Sequence, residues 1–227
     1  MTFEGPGQGA VVREQGLPFR PDWEAVVTPV LDHMLTPPGV DARRIALLGL
    51  SFGGYLAPRA AAFDRRLSAC IANGGVFDFM ASNLPAGMTR KAAAWWIRDE
   101  PATANQRICD LMAKSTDTRW AVQNGMFTFG SPSPAAWFLA ALDYTLEGVA
   151  EQIRCPVLVI DTEAEHGFAG QAPALYESLT CEKAFLLFTA EEGAEDHCQV
   201  GSPMLSAQRT FDWLEETLSA RPRRVGV

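Results

Sequence analysis

Histidine is scarce in this sequence, with three among 227 residues, and cysteine occurs five times without a C-x-x-C pair. Scattered cysteines in odd number argue against a disulfide framework and a zinc site, and they suit a reducing compartment. No apolar run approaches the roughly 20 residues needed to span a bilayer, and the amino terminus lacks the pattern of a signal peptide. We therefore expect a cytoplasmic protein without a metal site.

Positive charge is also in deficit, because 19 Lys and Arg residues stand against 27 Asp and Glu residues, a formal net charge of −8. Such a charge repels phosphate backbones and anionic lipid surfaces. The composition therefore argues against nucleic-acid and membrane partners. The apolar share of 48% is enough for one large domain with a buried core and an insertion.

Short apolar runs alternate with helical patterns along most of the chain. The predicted strands are 44–51, 67–75, 155–161 and 184–190, and the predicted helices include those from Phe52, at 172–180 and at 203–218. Continuous apolar runs are typical of strands that are buried on both faces of a parallel sheet. The alternation therefore predicts an α/β fold, in which helices cover both faces of a mostly parallel sheet.

One long segment departs from this alternation. Residues 76–154 have helical patterns and contain four of the six tryptophans. We predict that they form a helical cap, where each tryptophan either packs in the cap core or lines a substrate pocket. The predicted domains are a core of residues 1–75 and 155–220, the cap of residues 76–154 and a flexible tail of residues 221–227.

The segment GLSFG, residues 49–53, fits the pattern G-x-S-x-G between a predicted strand and a predicted helix. In this context a strained turn holds the serine hydroxyl clear of the sheet, and small flanking residues let strand and helix approach closely. Ser51 is therefore the candidate nucleophile. The backbone amide of Phe52, the next residue, is a candidate oxyanion donor.

A serine hydroxyl needs a base near neutral pH, and the shortage of histidine narrows the choice. In folds with this strand-turn-helix motif, the acid and then the histidine follow the serine along the chain, which excludes His33. His166 is a weaker candidate for the base. It follows a predicted strand so closely that an acid preceding it in the chain would have to come from the same loop. His197, beyond the last predicted strand, is the candidate base.

The acid is less sharply specified, because DTEAEH at 161–166 contains three carboxylates. A triad carboxylate reaches the imidazole from a loop beyond the strand end, whereas the first residue after a strand commonly bonds within its own turn. This favours Glu165, with Asp161 as the alternative acid. Asp78, after the preceding sheet strand, is a third candidate.

Several stretches resemble a known family. The order of Ser51, a carboxylate near residue 165 and His197 is similar to that of α/β hydrolases. The resemblance is closest to the branch containing 2,6-dihydroxypseudooxynicotine hydrolase and related microbial and fungal hydrolases. It rests on EGPGQGA (4–10), GLSFGGYLAPRAAA (49–62), YTLEGVAEQIRCPVLV (144–159), GQ (170–171) and LFTAEEGAEDHCQVG (187–201). That branch usually has aspartate where this chain has Glu165.

The resemblance also bears on residues 5–10, which fit the loose dinucleotide pattern G-x-G-x-x-G/A. In the branch this loop follows a strand inside the sheet, so we expect a structural loop and no cofactor. Here the strand is reduced to residues 1–4, which implies that amino-terminal strands are missing. The strand at 44–50 would then be an exposed apolar edge that pairs with another chain as a homo-oligomer, and a second oxyanion donor would be lost.

The motif and the resemblance together predict a serine hydrolase that acts on a small apolar or aromatic carbonyl compound. An ester, an amide and the C–C bond of an acyl or diketone-type metabolite all remain open as the bond that breaks. The alternative is a non-catalytic, truncated hydrolase-like module that binds a ligand or partner, which the exposed sheet edge would favour.

Overall fold

The computed structural model of the chain describes residues 1–219, so the predicted tail at 221–227 lies outside the described residues. The chain divides into two compact units. The helical unit comprises Met1–Pro21 and Phe79–Thr145, and the sheet unit comprises Asp22–Asp78 and the chain from Leu146 onward. The first 21 residues, which we assigned to the core, thus group with the helical segment. The bounds and the cap role predicted for residues 76–154 stay predictions.

The sheet unit contains both strands and helices, whereas the helical unit contains no strand among its described elements. In chain order the elements are α1 (Gly9–Gln15), α2 (Glu24–Met34), β1 (Ala46–Leu50), α3 (Gly53–Phe63), β2 (Ala69–Asn73), α4 (Arg90–Asp99), α5 (Pro101–Lys114), α6 (Thr116–Thr128), α7 (Pro134–Ala141), β3 (Val157–Thr162), α8 (Gln171–Ser178), β4 (Lys183–Phe188) and α9 (Pro203–Ser219). Short 3-10 turns cover Ala81–Asn83, Ala150–Gln152, Ala190–Glu192 and His197–Gln199.

The four strands form a parallel sheet in the order β1-β2-β3-β4, which confirms the predicted α/β class. In register, Leu48 lies opposite Ile71, Ile71 opposite Leu158, and Leu158 opposite Ala184. Every residue of β2 is buried, so both faces of this strand are covered. Helix α3 packs on β1 and β2, α8 packs on β3 and β4, and α9 packs on β2.

One face of strand β1 is more exposed than its continuous apolar run predicted. The side chains of Leu48 and Leu50 are 39% and 56% exposed, whereas Gly49 is buried. Successive residues of a strand point to opposite faces, and helix α3 covers only the face on which Gly49 lies. The prediction of burial on both faces is therefore wrong for this strand. Within the described residues β1 is an edge strand with an apolar outer surface.

The core of the sheet unit lies between the central strands and the last helix. Its buried members include Ile71, Leu158, Ile160 and Phe188, against which α9 packs the partly buried Trp213. These side chains come from the continuous apolar runs of the sequence. Burial of such side chains is the main favourable contribution to the stability of the unit.

The helical unit has its own core. Trp137 is buried there with Met80 and Val122, whereas Trp95 and Trp120 are 66% and 68% exposed. Helix α7 begins with a side-chain cap, because the Ser133 side chain accepts a hydrogen bond from the amide of Ala136 at 3.2 Å and a proline follows at the first helical position.

The amino-terminal segment differs from our prediction in one respect, because residues 1–4 form no strand. The short helix α1 follows the glycine-rich loop. The helix ends after seven residues at Gly16, which adopts the left-handed conformation that favours glycine.

No helix in the described part of the chain is long and apolar enough to cross a membrane.

Two leucines of the sheet unit provide a matched test of this core. Leu158 of β3 is fully buried, and Leu187 of β4 is 49% exposed. We expect Leu158→Ala to lower the free energy of unfolding by about 2 to 5 kcal/mol, because it leaves a cavity. The same change at Leu187 should cost less than about 1 kcal/mol. Urea unfolding measures both values, and equal losses would contradict the described core.

Candidate active site

The turn between β1 and α3 presents the hydroxyl of Ser51. Ser51 has a φ of 58°, a left-handed conformation that is uncommon for residues other than glycine. Its amide donates a hydrogen bond to the carbonyl oxygen of Asn73 at 2.9 Å, and its own carbonyl accepts one from Gly54 at 2.7 Å. The strained turn is therefore held from both sides by backbone bonds.

The start of α3 lies directly against the loop after β2. A Cβ atom on Gly54 would be 2.2 Å from the carbonyl oxygen of Gly74, whereas a Cβ atom on Gly53 would meet no atom within 4 Å. Only a residue without a side chain fits at position 54. This close approach explains why the second of the two glycines after Phe52 is required.

His197 lies in the loop that follows β4, on the 3-10 turn His197–Gln199. Its Nε2 atom is 2.8 Å from Ser51 Oγ, and its Nδ1 atom is 2.5 Å from Glu165 Oε2. The structure thus brings the three predicted residues into one hydrogen-bonded line. An ionised carboxylate can only accept, so Nδ1 donates to Glu165, and in the neutral form of the imidazole Nε2 is free to accept from the hydroxyl.

Glu165 lies in the loop that follows β3, and its side chain is 6% exposed. The second carboxylate oxygen, Oε1, accepts hydrogen bonds from the amides of Gly167 and Phe168 at 2.8 and 3.0 Å. Burial raises the pKa of this carboxyl, but the bonds from His197 and from the two amides outweigh burial and lower the pKa to about 2. Glu165 is therefore ionised and fixed in orientation.

The pKa of the His197 imidazole is raised, whereas that of the Glu165 carboxyl is lowered. Contacts with the Cys198 sulfur and with the Glu165 carboxylate raise the pKa of His197 above its ordinary value, and burial opposes them. The ring of Phe168 lies beside the imidazole, with 5.9 Å between the ring centroids. The environment of His197 thus favours the protonated form that arises when it takes a proton.

Cys198 is a part of the site that our sequence analysis missed. Its sulfur is 3.5 Å from Nε2 of His197, and its φ of 55° is again left-handed. The following residue, Gln199, shares this conformation and is fully buried. Direct adjacency to the histidine was the only signal in the sequence, and no motif marks these two positions.

The other candidate acids and histidines of the sequence are not part of this hydrogen-bonded line. Asp161 lies within β3, one residue before its end, and not after the strand as we expected; its carboxylate accepts from the amide of Thr162 at 2.9 Å, and burial raises its pKa. The amide of Asp78 donates to Gln171 Oε1 at 2.8 Å. His33 is exposed on α2, and His166 is exposed with Nδ1 at 3.4 Å from the carbonyl oxygen of Ala164, two residues earlier.

Phe52 is the residue at the N-cap of α3, so its amide lies at the positive end of the helix dipole. That position suits a donor to an oxyanion, and this role of Phe52 stays a prediction. Within residues 1–219, no three His, Cys, Asp or Glu side chains are grouped so that they would hold a metal ion.

Comparison with known proteins finds curated hydrolases of fungi. Alpha/beta hydrolase psoB of Aspergillus fumigatus is 32% identical over 239 aligned positions, which include 95% of this chain and 53% of psoB. Hydrolyase poxO of Penicillium oxalicum is 32% identical over 96% of this chain and 56% of its own length. The 20-hydroxy-prefusarin hydrolase FUS2 of Gibberella moniliformis is 30% identical over 97% and 55%, respectively. No protein-family model matches the sequence.

Solved structures give the same fold. The 2,6-dihydroxy-pseudo-oxynicotine hydrolase matches with a TM-score of 0.60 and 22% identity over 96% of this chain and 52% of its own chain. AbyA5 matches with a TM-score of 0.61 and 19% identity over 92% and 53%. The chain therefore has the fold of the α/β hydrolases. It spans about half the length of the curated relatives that it matches.

The two glycines after Phe52 provide a first test of the turn geometry. Gly54→Ala should lower the free energy of unfolding by about 1 to 3 kcal/mol, because the new methyl group forces helix α3 away from Gly74. Gly53→Ala, in open space, should be neutral or stabilise by up to about 1 kcal/mol. Thermal unfolding of both variants measures this difference, and a tolerated alanine at position 54 would contradict the close approach.

The hydrogen bond between Glu165 and His197 predicts a change in the imidazole titration. Glu165→Gln should lower the pKa of His197, because the carboxylate that stabilises the imidazolium is removed. NMR titration measures this directly, since the chain has only three histidines and His197→Gln identifies the relevant signal. Glu163→Gln is the control, because Glu163 accepts from the amide of Ala190 instead. An unchanged pKa in Glu165→Gln would contradict the described pair.

Proposed function

We propose that this chain is a serine hydrolase in which Ser51 is the nucleophile, His197 the general base and Glu165 the residue that orients the imidazole. One observation supports the proposal above all others. Oγ of Ser51, the imidazole of His197 and the carboxylate of Glu165 form one hydrogen-bonded line, with distances of 2.8 and 2.5 Å. Such a line is the arrangement that acyl transfer by a serine requires.

The reaction would proceed through an acyl-enzyme. Nε2 of His197 takes the proton from Oγ of Ser51 as the oxygen attacks the carbonyl carbon, and the imidazolium then returns that proton to the leaving group. Water, deprotonated by the same imidazole, releases the acid in the second half of the reaction. The neutral imidazole is the form that accepts the proton, so the rate should increase as the pH rises through the pKa of His197.

The proton transfer puts a positive charge on the imidazole, and Glu165 stabilises it. Both carboxylate oxygens of Glu165 are fixed, one by His197 and one by the amides of Gly167 and Phe168. The two amides hold the Glu165 carboxylate against Nδ1 of His197. Nε2 of the same ring therefore points toward the Ser51 hydroxyl. The Phe52 amide would donate to the oxyanion that forms on the carbonyl oxygen.

The substrate that we propose is a small apolar or aromatic carbonyl compound. The names of two relatives, a 20-hydroxy-prefusarin hydrolase and a 2,6-dihydroxy-pseudo-oxynicotine hydrolase, each specify an organic metabolite. An ester or an amide needs only the acyl-enzyme route, and a β-diketone or acyl phenol would undergo C–C cleavage by the same nucleophile. Aryl esters and an acyl-phenol ketone, tested side by side, separate these two classes.

A fluorophosphonate probe tests the nucleophile. The wild-type chain should form a covalent adduct at Ser51, and Ser51→Ala should form none. His197→Ala should slow the labelling by about 10²- to 10⁴-fold, because the general base is lost. Ser178→Ala is the control, since the Ser178 hydroxyl bonds to the carbonyl of Ala174 within α8. A folded wild-type chain that forms no adduct would contradict the proposal and favour a non-catalytic binding module.

A further inference from the structure

A single residue at the end of β2 contacts both the nucleophile turn and the histidine loop. The backbone carbonyl of Asn73 accepts the amide of Ser51 at 2.9 Å. Its side-chain Nδ2 donates to Oε1 of Gln199 at 2.8 Å, two residues after His197. A short path of two hydrogen bonds and covalent chain therefore runs from Ser51 through Asn73 and Gln199 to His197.

The side chain of Gln199 extends this connection to the last helix. Its Oε1 atom also accepts from the hydroxyl of Ser206, in the first turns of α9, at 2.7 Å. Asn73, Gln199 and Ser206 are 4%, 0% and 7% exposed. We call these three side chains the amide clamp. It joins the end of β2, the histidine loop and α9 at one buried point.

The amide clamp is not an arrangement that favours stability. Oδ1 of Asn73 and Nε2 of Gln199 are buried and have no hydrogen-bond partner among the described residues. A buried polar atom without a partner carries a desolvation penalty that an apolar side chain of the same size avoids. Gln199 is also left-handed, at a φ of 55°, although it is not glycine. These costs point to a role other than packing.

We propose that the amide clamp is a positioning device, which fixes the distance between Nε2 of His197 and Oγ of Ser51. The inference rests on the proposed hydrolase function. The Asn73 backbone holds the Ser51 turn through a hydrogen bond. The Asn73 side chain holds the His197 loop through its hydrogen bond to Gln199. Because both catalytic groups are anchored to one residue, movement of one loop is followed by the other. A misplacement of about 1 Å between such groups reduces rates by up to about 10²-fold.

The decisive experiment replaces the whole amide clamp by apolar side chains of similar size. One variant combines Asn73→Leu, Gln199→Met and Ser206→Ala, so that no polar partner is left unsatisfied. Its melting temperature should equal or exceed that of the wild type, because two unpaired buried atoms are removed. Its maximal rate of labelling by the fluorophosphonate, per folded molecule, should fall about 10- to 100-fold. The probe concentration for half-maximal rate should change by less than about twofold, because the apolar replacements leave the probe's own contacts in place.

The matched control is Gln208→Met, a glutamine-to-methionine change at an exposed position of α9. It should leave the melting temperature and both labelling parameters unchanged. Should the triple variant fail to fold, Ser206→Ala alone removes one of the two bonds to Gln199. It should reduce the maximal labelling rate about 2- to 10-fold, the effect of one neutral hydrogen bond.

The outcomes separate this inference from the proposed function. A wild-type chain without an adduct at Ser51 contradicts the hydrolase proposal itself. A labelled wild type together with an equally fast triple variant, or an equally fast Ser206→Ala chain where the triple variant does not fold, overturns the amide clamp alone. A loss of melting temperature with an unchanged maximal rate per folded molecule would show a purely structural role and also overturns it.

Discussion

Parallel alignment of the four strands is the constraint on which the site depends. In a parallel sheet all carboxyl ends lie at one edge, so the loops after β1, β3 and β4 meet there although they are far apart in sequence. Ser51 follows β1, Glu165 follows β3 and His197 follows β4. An antiparallel strand at any of these places would carry its residue to the opposite edge. The hydrogen-bonded line therefore presupposes the sheet topology.

Much of this arrangement could be predicted from the sequence, because the strongest signals are local. Continuous apolar runs predicted the strands, and G-x-S-x-G between strand and helix predicted the turn at Ser51. Because the chain has only three histidines, the order of the residues along the chain identified His197 as the candidate base. The preference for Glu165 over Asp161 followed from the reach that a loop residue has beyond the strand end. The structure places Asp161 inside β3, in a local bond with Thr162, and Glu165 three residues beyond the strand.

Other features depend on contacts between distant segments, which no local pattern records. The apolar side chains of Leu48 and Leu50 predicted buried faces. Their exposure depends instead on which elements cover β1. Asn73 and Gln199 are ordinary polar residues in the sequence, and their pairing across 126 positions is visible only in three dimensions. The α/β-hydrolase fold explains the sheet and the loops, whereas the half-length match leaves the activity of this chain as a proposal.

The sulfur beside the imidazole has a consequence for how this protein would be classified in the laboratory. Cys198 Sγ lies 3.5 Å from Nε2 of His197, on the side from which the ring serves Ser51. An alkyl group or a mixed disulfide on that sulfur would lie next to Nε2, the atom that accepts the proton in the proposed mechanism. Inactivation by iodoacetamide would therefore imitate the inhibitor profile of a cysteine hydrolase, although the attacking atom in the proposed mechanism is the Ser51 oxygen. Sensitivity to thiol reagents says nothing here about which residue becomes acylated.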